Sequence, residues 1–240
     1  MSASTTRIRA IYHKELREYR RNGSIVATMA IIPLALVIFP LIEVLALPAS
    51  AANSLRFGDP LVILLGIPAL VPSVVAAASV VGERQQGTLE PVLTTPIRRE
   101  ELLLAKFLAA LVPSLVIAYA MYAIFLGLTR LFAQPAVAAA VLQGPDLLAQ
   151  VIFTPLVAAW SIWVGIAISA RSSDIRVAQQ FGALAGLPVL LVAYIIAFNA
   201  IHATLGLALG VAAALLVLDG LGWRVVSAAF DRERLIAGTR

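Results

Sequence analysis

Apolar residues run along the chain in six long blocks. They cover residues 24–47, 60–82, 102–132, 147–170, 181–199 and 203–219. An α-helix needs about 20 mostly apolar residues to cross a bilayer, so each block reads as a spanning helix. The third is long enough to tilt or to project beyond the hydrocarbon. Only a short turn near residues 199–202 separates the last two, which predicts a tight hairpin; one long buried helix is the competing reading. Ahead of the first block, Ile8, Ile11, Leu16 and Tyr19 recur at roughly helical spacing among Arg9, Lys14, Arg17, Arg20 and Arg21. That pattern predicts an amphipathic helix at the membrane surface, apolar side in lipid and basic side toward anionic head groups. Glu15 and Glu18 beside basic residues favour this helix over a disordered basic tail. The first block starts near Ser24 and can span, so it is expected to be a true membrane helix, not a cleavable signal.

Composition agrees with the pattern. Hydrophobic residues make up 61% of the 240, charged residues 13%, and mean hydropathy is +0.95. A soluble domain is about 45–50% apolar and about 25% charged. One aqueous core cannot hold this much apolar surface, because the exterior still needs polar cover. Cysteine is absent, which excludes disulfides, thiolate metal sites and cysteine nucleophiles. The net charge of +5 is explained by membrane orientation and not by nucleic acid. With the N-terminus inside, Arg56 and Arg130 fall in outer loops and the other 16 Lys and Arg face the cytoplasm. The expected organisation is an N-terminal helix over 1–23, one all-α membrane domain over 24–219 and a cytoplasmic tail over 220–240, in the cell membrane with both termini inside.

Proline interrupts nearly every span, at Pro33, Pro40, Pro68, Pro72, Pro113, Pro155 and Pro188. Each removes a backbone hydrogen bond and can kink its helix, whether as simple structure or as a hinge. Gly182 with Gly186, and Gly206 with Gly210, have the GxxxG spacing of close helix packing, expected here within the last hairpin.

The most informative segment is the loop over residues 83–101. Leu89, Val92 and Leu93 can share one face of a short helix, with Glu90 and Thr94 turned away. Thr95 then suits an N-cap and Pro96 the first position of the next helix, with Glu100 and Glu101 near its positive dipole end. A short helix on the cytoplasmic face would lead rigidly into a long span, the geometry needed to pass a push from a soluble motor into the membrane. Glu83, Gly87, Thr88, Leu89, Glu90, Leu93, Pro96, Arg98 and Lys106 resemble, position by position, the signature loop of ABC-2 type transporter permeases. The opening Lys14-Glu15-Leu16-Arg17 and the ending Phe230-Asp231-Arg232-Glu233-Arg234-Leu235 are also similar to that family. One departure is Ala105, where the family often has glycine.

The resemblance implies a permease subunit of an exporter that pairs with a second permease copy, or a related chain, and docks two separate ATP-binding subunits. In that reading 83–101 holds the coupling helix, with Glu83 a charged contact to the ATPase. Lys14, Glu15 and Arg17 lie at the same interface. The residues support half of this independently. A P-loop ends in Lys-Ser or Lys-Thr, whereas Lys14 precedes Glu15 and Lys106 precedes Phe107. ATP and its magnesium are therefore expected on the partner, with no cofactor in this chain.

Glu43 and His202 lie near the outer interface, and Asp219 is expected at the cytoplasmic end of the last helix, paired with Arg224 or facing water. Trp160 and Trp163 fall within the fourth span and suit packing; Trp223 suits an interfacial anchor. No HExxH motif or paired membrane aspartates appear, so catalysis by this chain is not expected. The rival readings are the B subunit of a haem exporter, similar in length and with a Gly-x-Leu-Glu loop, and an ion-gradient transporter, for which inverted repeats and a polar midplane site are lacking.

Overall fold

A computed structural model describes residues 3–51, 60–87, 97–184, 186–197 and 205–229. Among these residues the chain is helical, without strands. Helix α1 (Ala3–Arg21) leads through Asn22 into α2 (Gly23–Ala46). The Asn22 side chain accepts hydrogen bonds from the Ser24 and Ile25 amides, at 3.1 and 3.4 Å, and so caps α2. A second span follows as α3 (Pro60–Leu64) and α4 (Gly66–Gln85), and a third as the long α5 (Arg99–Phe132). Short α6 (Pro135–Val141) precedes α7 (Gly144–Arg171); α8 (Ile175–Leu184), α9 (Leu187–Ala197) and α10 (Leu205–Ala229) complete the order. Six stretches are long and apolar enough to cross a membrane, as the hydrophobic blocks predict. This is an all-α membrane protein.

Two spans are broken, and proline explains both. Pro68 and Pro188 lack the amide that would bond to the carbonyls of Leu64 and Leu184, the last residues of α3 and α8. Each proline then sits in the first turn of the next piece, where a missing N–H costs nothing. Pro33, Pro40, Pro72, Pro113 and Pro155 lie inside continuous helices. The last two spans also differ from their expected limits. The fifth begins at Ile175, and α10 runs on to Ala229, so Asp219 is inside a helix and not at its end.

Helix α4 is the centre of the bundle, with 78% of its span buried against 22% for α2 and 6% for α10. Lipid tails are as apolar as leucine, so close packing must hold the bundle, and small residues provide it. Gly165 of α7 lies so near the Ser73 carbonyl that an added Cβ would be 2.5 Å from it. Gly182 and Gly186 meet Ala77 and the Ala69–Leu70 turn in the same manner. That pair therefore packs on α4 and not within the last hairpin, and Gly210 has nothing within 4 Å of its Cβ position.

Candidate functional site

At the basic end of the bundle, α1 lies against α4 and α5. Ile11, Glu15 and Tyr19 recur at i, i+4 and i+8 and are buried together, while Arg9, His13, Arg17, Arg20 and Arg21 face outward. The side of α1 that the sequence places in lipid thus meets protein. Beneath it, Glu83 comes from the last turn of α4 and Lys106 from the second turn of α5.

The Lys106 side chain is 0% exposed. Its Nζ lies 2.7 Å from Glu15 Oε1, 3.0 Å from Glu83 Oε2 and 3.1 Å from the Ser79 carbonyl oxygen. Lys14, at the rim, donates to Glu83 Oε1 and lies 3.2 Å from Glu18 Oε1. Two ammoniums therefore balance two buried carboxylates, with Glu18 at the edge. The oxygens of Glu15, Glu18 and Glu83 lie within 4.8 Å of one another, and the two lysines supply the positive charge that such a group needs.

The electrostatics of α1 follow from this burial. Desolvation raises the Glu15 carboxyl above its ordinary value, and Lys106 offsets only part of the rise. Burial alone would lower the Lys14 ammonium, but the charge and hydrogen bond of Glu83 outweigh it and hold the group above 10.5. Burial, with Glu15 and Glu83 nearby, pushes the Tyr19 hydroxyl well up, so it stays a neutral phenol.

The two edges of the 83–101 loop are fixed separately. Arg84 donates to the carbonyls of Ser172 (2.7 Å) and Ala170 (3.0 Å), capping the end of α7 where the helix dipole favours a cation. One turn earlier, Ser169 Oγ accepts the amides of Val80 and Val81, each at 3.0 Å. Gly87 follows α4 with φ +67°, the left-handed conformation in which glycine ends helices. On the far edge Arg98 is the N-cap of α5, three residues later than Thr95. Its amide donates to Glu101 Oε2 at 3.1 Å, and Arg7 of α1 reaches the same oxygen at 3.3 Å.

The expected coupling residues thus fall into three groups. Glu83 is 3% exposed and held by Lys14 and Lys106, so its carboxylate faces this network. Gly87 and Arg98 are exposed at the two edges of the loop. Thr88, Leu89, Glu90, Leu93 and Pro96 lie outside the described residues, as does His202. Lys14 and Glu15 join the network, whereas Arg17 is on the outward face of α1. Ala105, at the family's usual glycine, is fully buried.

Sequence reasoning noted Lys106 without a role, and did not connect Arg7 with Glu101 or Arg84 with α7. One signal was available: a lysine inside an apolar span needs a partner. The sequence profile of one family, described as ABC-2 family transporter protein, matches residues 9–230, from α1 to just beyond the end of α10. No curated protein matches the chain.

Proposed function

The chain belongs to the ABC-2 family of transporter proteins and is a membrane permease of an ABC transporter; from this we propose that it couples ATP hydrolysis by a separate subunit to export. Two ATPase copies dock at the basic end, and a second copy of this chain, or a related one, completes the pathway. The termini and the 83–101 loop face the cytoplasm of a cell whose plasma membrane the chain spans.

The single observation that carries this reading is the network joining Glu15, Glu83 and Lys106. It ties α1, α4 and α5 together where the loop leaves and re-enters the bundle. A force on residues 88–96 reaches α4 through Gly87 and α5 through Arg98. Because the three helices share a buried set of charges, they move as one piece. Arg84 extends that piece to α7. Glu83 then acts by holding α1 on α4, not by touching the motor, and the contact falls to Leu89, Glu90 and the exposed Arg98. The test is contact itself: a photo-cross-linker at Leu89 should capture a soluble protein carrying a P-loop. Capture of no such protein in cells that express the whole transporter would overturn the reading.

A further inference from the structure

A groove runs between α7 and α10 at the basic end of the bundle. Its volume is 450 Å³, within the range of about 300–1,000 Å³ common for small-molecule sites. The walls are Trp160 and Ala167 of α7 and Leu218, Leu221 and Val225 of α10, and Arg171 lies at one end.

The floor is rigid. Gly222 of α10 sits directly on Trp163, where an added Cβ would be 2.8 Å from the indole-bearing carbon. Trp163 in turn stacks on Phe107 at 4.4 Å and meets the edge of Trp223 at 5.5 Å. The walls are softer, for Leu218, Leu221 and Val225 are exposed along a helix that is only 6% buried. An apolar slot of this kind suits an acyl chain.

Arg171 sets the other half of the specificity. Its guanidinium is exposed at the last turn of α7 and, among the described residues, makes only a long 3.5 Å contact with the Ala167 carbonyl. The groove therefore pairs an apolar trough with one basic side chain, Arg171, at the end of the bundle that also carries Arg84 and Arg98. A guanidinium offers a planar fork of donors matched to phosphate. Cytoplasmic leaflets hold the anionic lipids, and basic residues of membrane proteins concentrate on that side.

We propose that this groove binds an anionic glycerophospholipid of the cytoplasmic leaflet, its phosphate on Arg171 and one acyl chain along Trp160, Leu221 and Val225. The lipid wedges α10 against α7, and since Arg84 of α4 caps that same end of α7, it braces the frame of the coupling loop.

Two of the three tryptophans, Trp160 and Trp163, line this groove and the third, Trp223, meets the edge of Trp163, which provides the probe. The full-length protein is placed in nanodiscs of phosphatidylcholine, with a small fraction of acyl-brominated phosphatidylglycerol or acyl-brominated phosphatidylcholine, and tryptophan quenching is titrated. Brominated phosphatidylcholine reports ordinary boundary lipid. Brominated phosphatidylglycerol should quench at a mole fraction about fivefold lower, the effect of one basic side chain at a membrane surface. Arg171→Ala should erase that difference and Arg171→Lys keep part of it, while Arg20→Ala on exposed α1 leaves it unchanged. Leu221→Phe, which fills the groove from an exposed position without adding a tryptophan, should reduce quenching of the groove by both lipids. Equal quenching by the two lipids overturns the proposal, as does a preference that survives Arg171→Ala. Quenching by neither would mean that another helix, not lipid, covers the groove.

Discussion

Lys106 carries a full charge into a span where charge is costly, and it is tolerated because Glu15 and Glu83 meet it there. Removing it leaves two buried carboxylates facing Lys14 alone. Lys106→Met should therefore destabilise the protein by about 3–5 kcal/mol, the usual cost of breaking a buried pair from one side. Thermal unfolding in detergent measures the loss. Adding Glu15→Gln leaves Lys14 and Glu83 as a balanced pair, so Lys106→Met/Glu15→Gln should recover part of the stability. A double variant as weak as the single one would show that the charges are not paired as described. Lys14 gives a pH signature with a definite sign. Its folded value lies above 10.5, so its contribution is complete below that pH and is lost as pH rises through the folded value. The stability gap between the parent and Lys14→Gln should thus be constant through neutral pH and close above about 10.5. Glu15 has the opposite sign for a carboxyl: its raised value means that ionisation at neutral pH opposes folding, and a fall in pH relieves that cost. Neither partnership could be read from the sequence, because 91 residues separate Glu15 from Lys106 and 69 separate Lys14 from Glu83 in the numbering.

Helix α4 shows what helix-level patterns reveal and what they hide. Hydropathy marks where each span lies, since length and apolarity are local properties. It does not mark which span is central. Ser73, Ala76, Ala77 and Ala78 read as a weakly hydrophobic stretch, yet small side chains are what let α7 and α8 approach from two sides. The same holds for glycine pairs: Gly182 with Gly186 reaches the α4 backbone, whereas Gly210, in an equally good motif, has nothing within 4 Å of its Cβ position among the described residues. Gly165→Ala should force α7 off the Ser73 carbonyl and cost about 1–3 kcal/mol, as overpacking does. Gly210→Ala, in open surroundings on a helix, should be neutral or slightly stabilising, because alanine is the better helix former. Unfolding midpoints of the two variants decide this. If Gly210→Ala proves the more damaging, its face is covered in the assembly. The proline breaks were legible as kinks but not as full interruptions. Pro68 and Pro188 end a helix while the other five lie inside continuous helices, a difference that no local rule supplies.

The whole chain is best understood as a frame around one loop. Helices α2 and α10 leave most of their apolar surface uncovered, at 22% and 6% buried, so the exterior is built for lipid or for a second chain. The interior gathers α4, α5 and α7 at the basic end and clasps them with α1. Under the proposed coupling, loop residues that meet an ATPase cannot be replaced by generic hydrophobics, and that explains why the loop motif was the most telling part of the sequence. It also explains why the clasp stayed hidden, since a helix rich in arginine resembles any membrane-surface helix until its buried face is seen.

Coupling through the loop requires that residues 88–96 touch an ATPase, and photo-cross-linking from Leu89 tests that contact. A benzophenone side chain at position 89 is compared with one at Leu131, exposed near the opposite end of the bundle, in cells that express the native transporter. A cross-link from position 89 to a soluble P-loop protein, absent from position 131 and lost when Glu90 is reversed to Lys, is the expected result. Cross-links from position 89 to lipid alone, or to the same proteins as position 131, would contradict coupling through this loop.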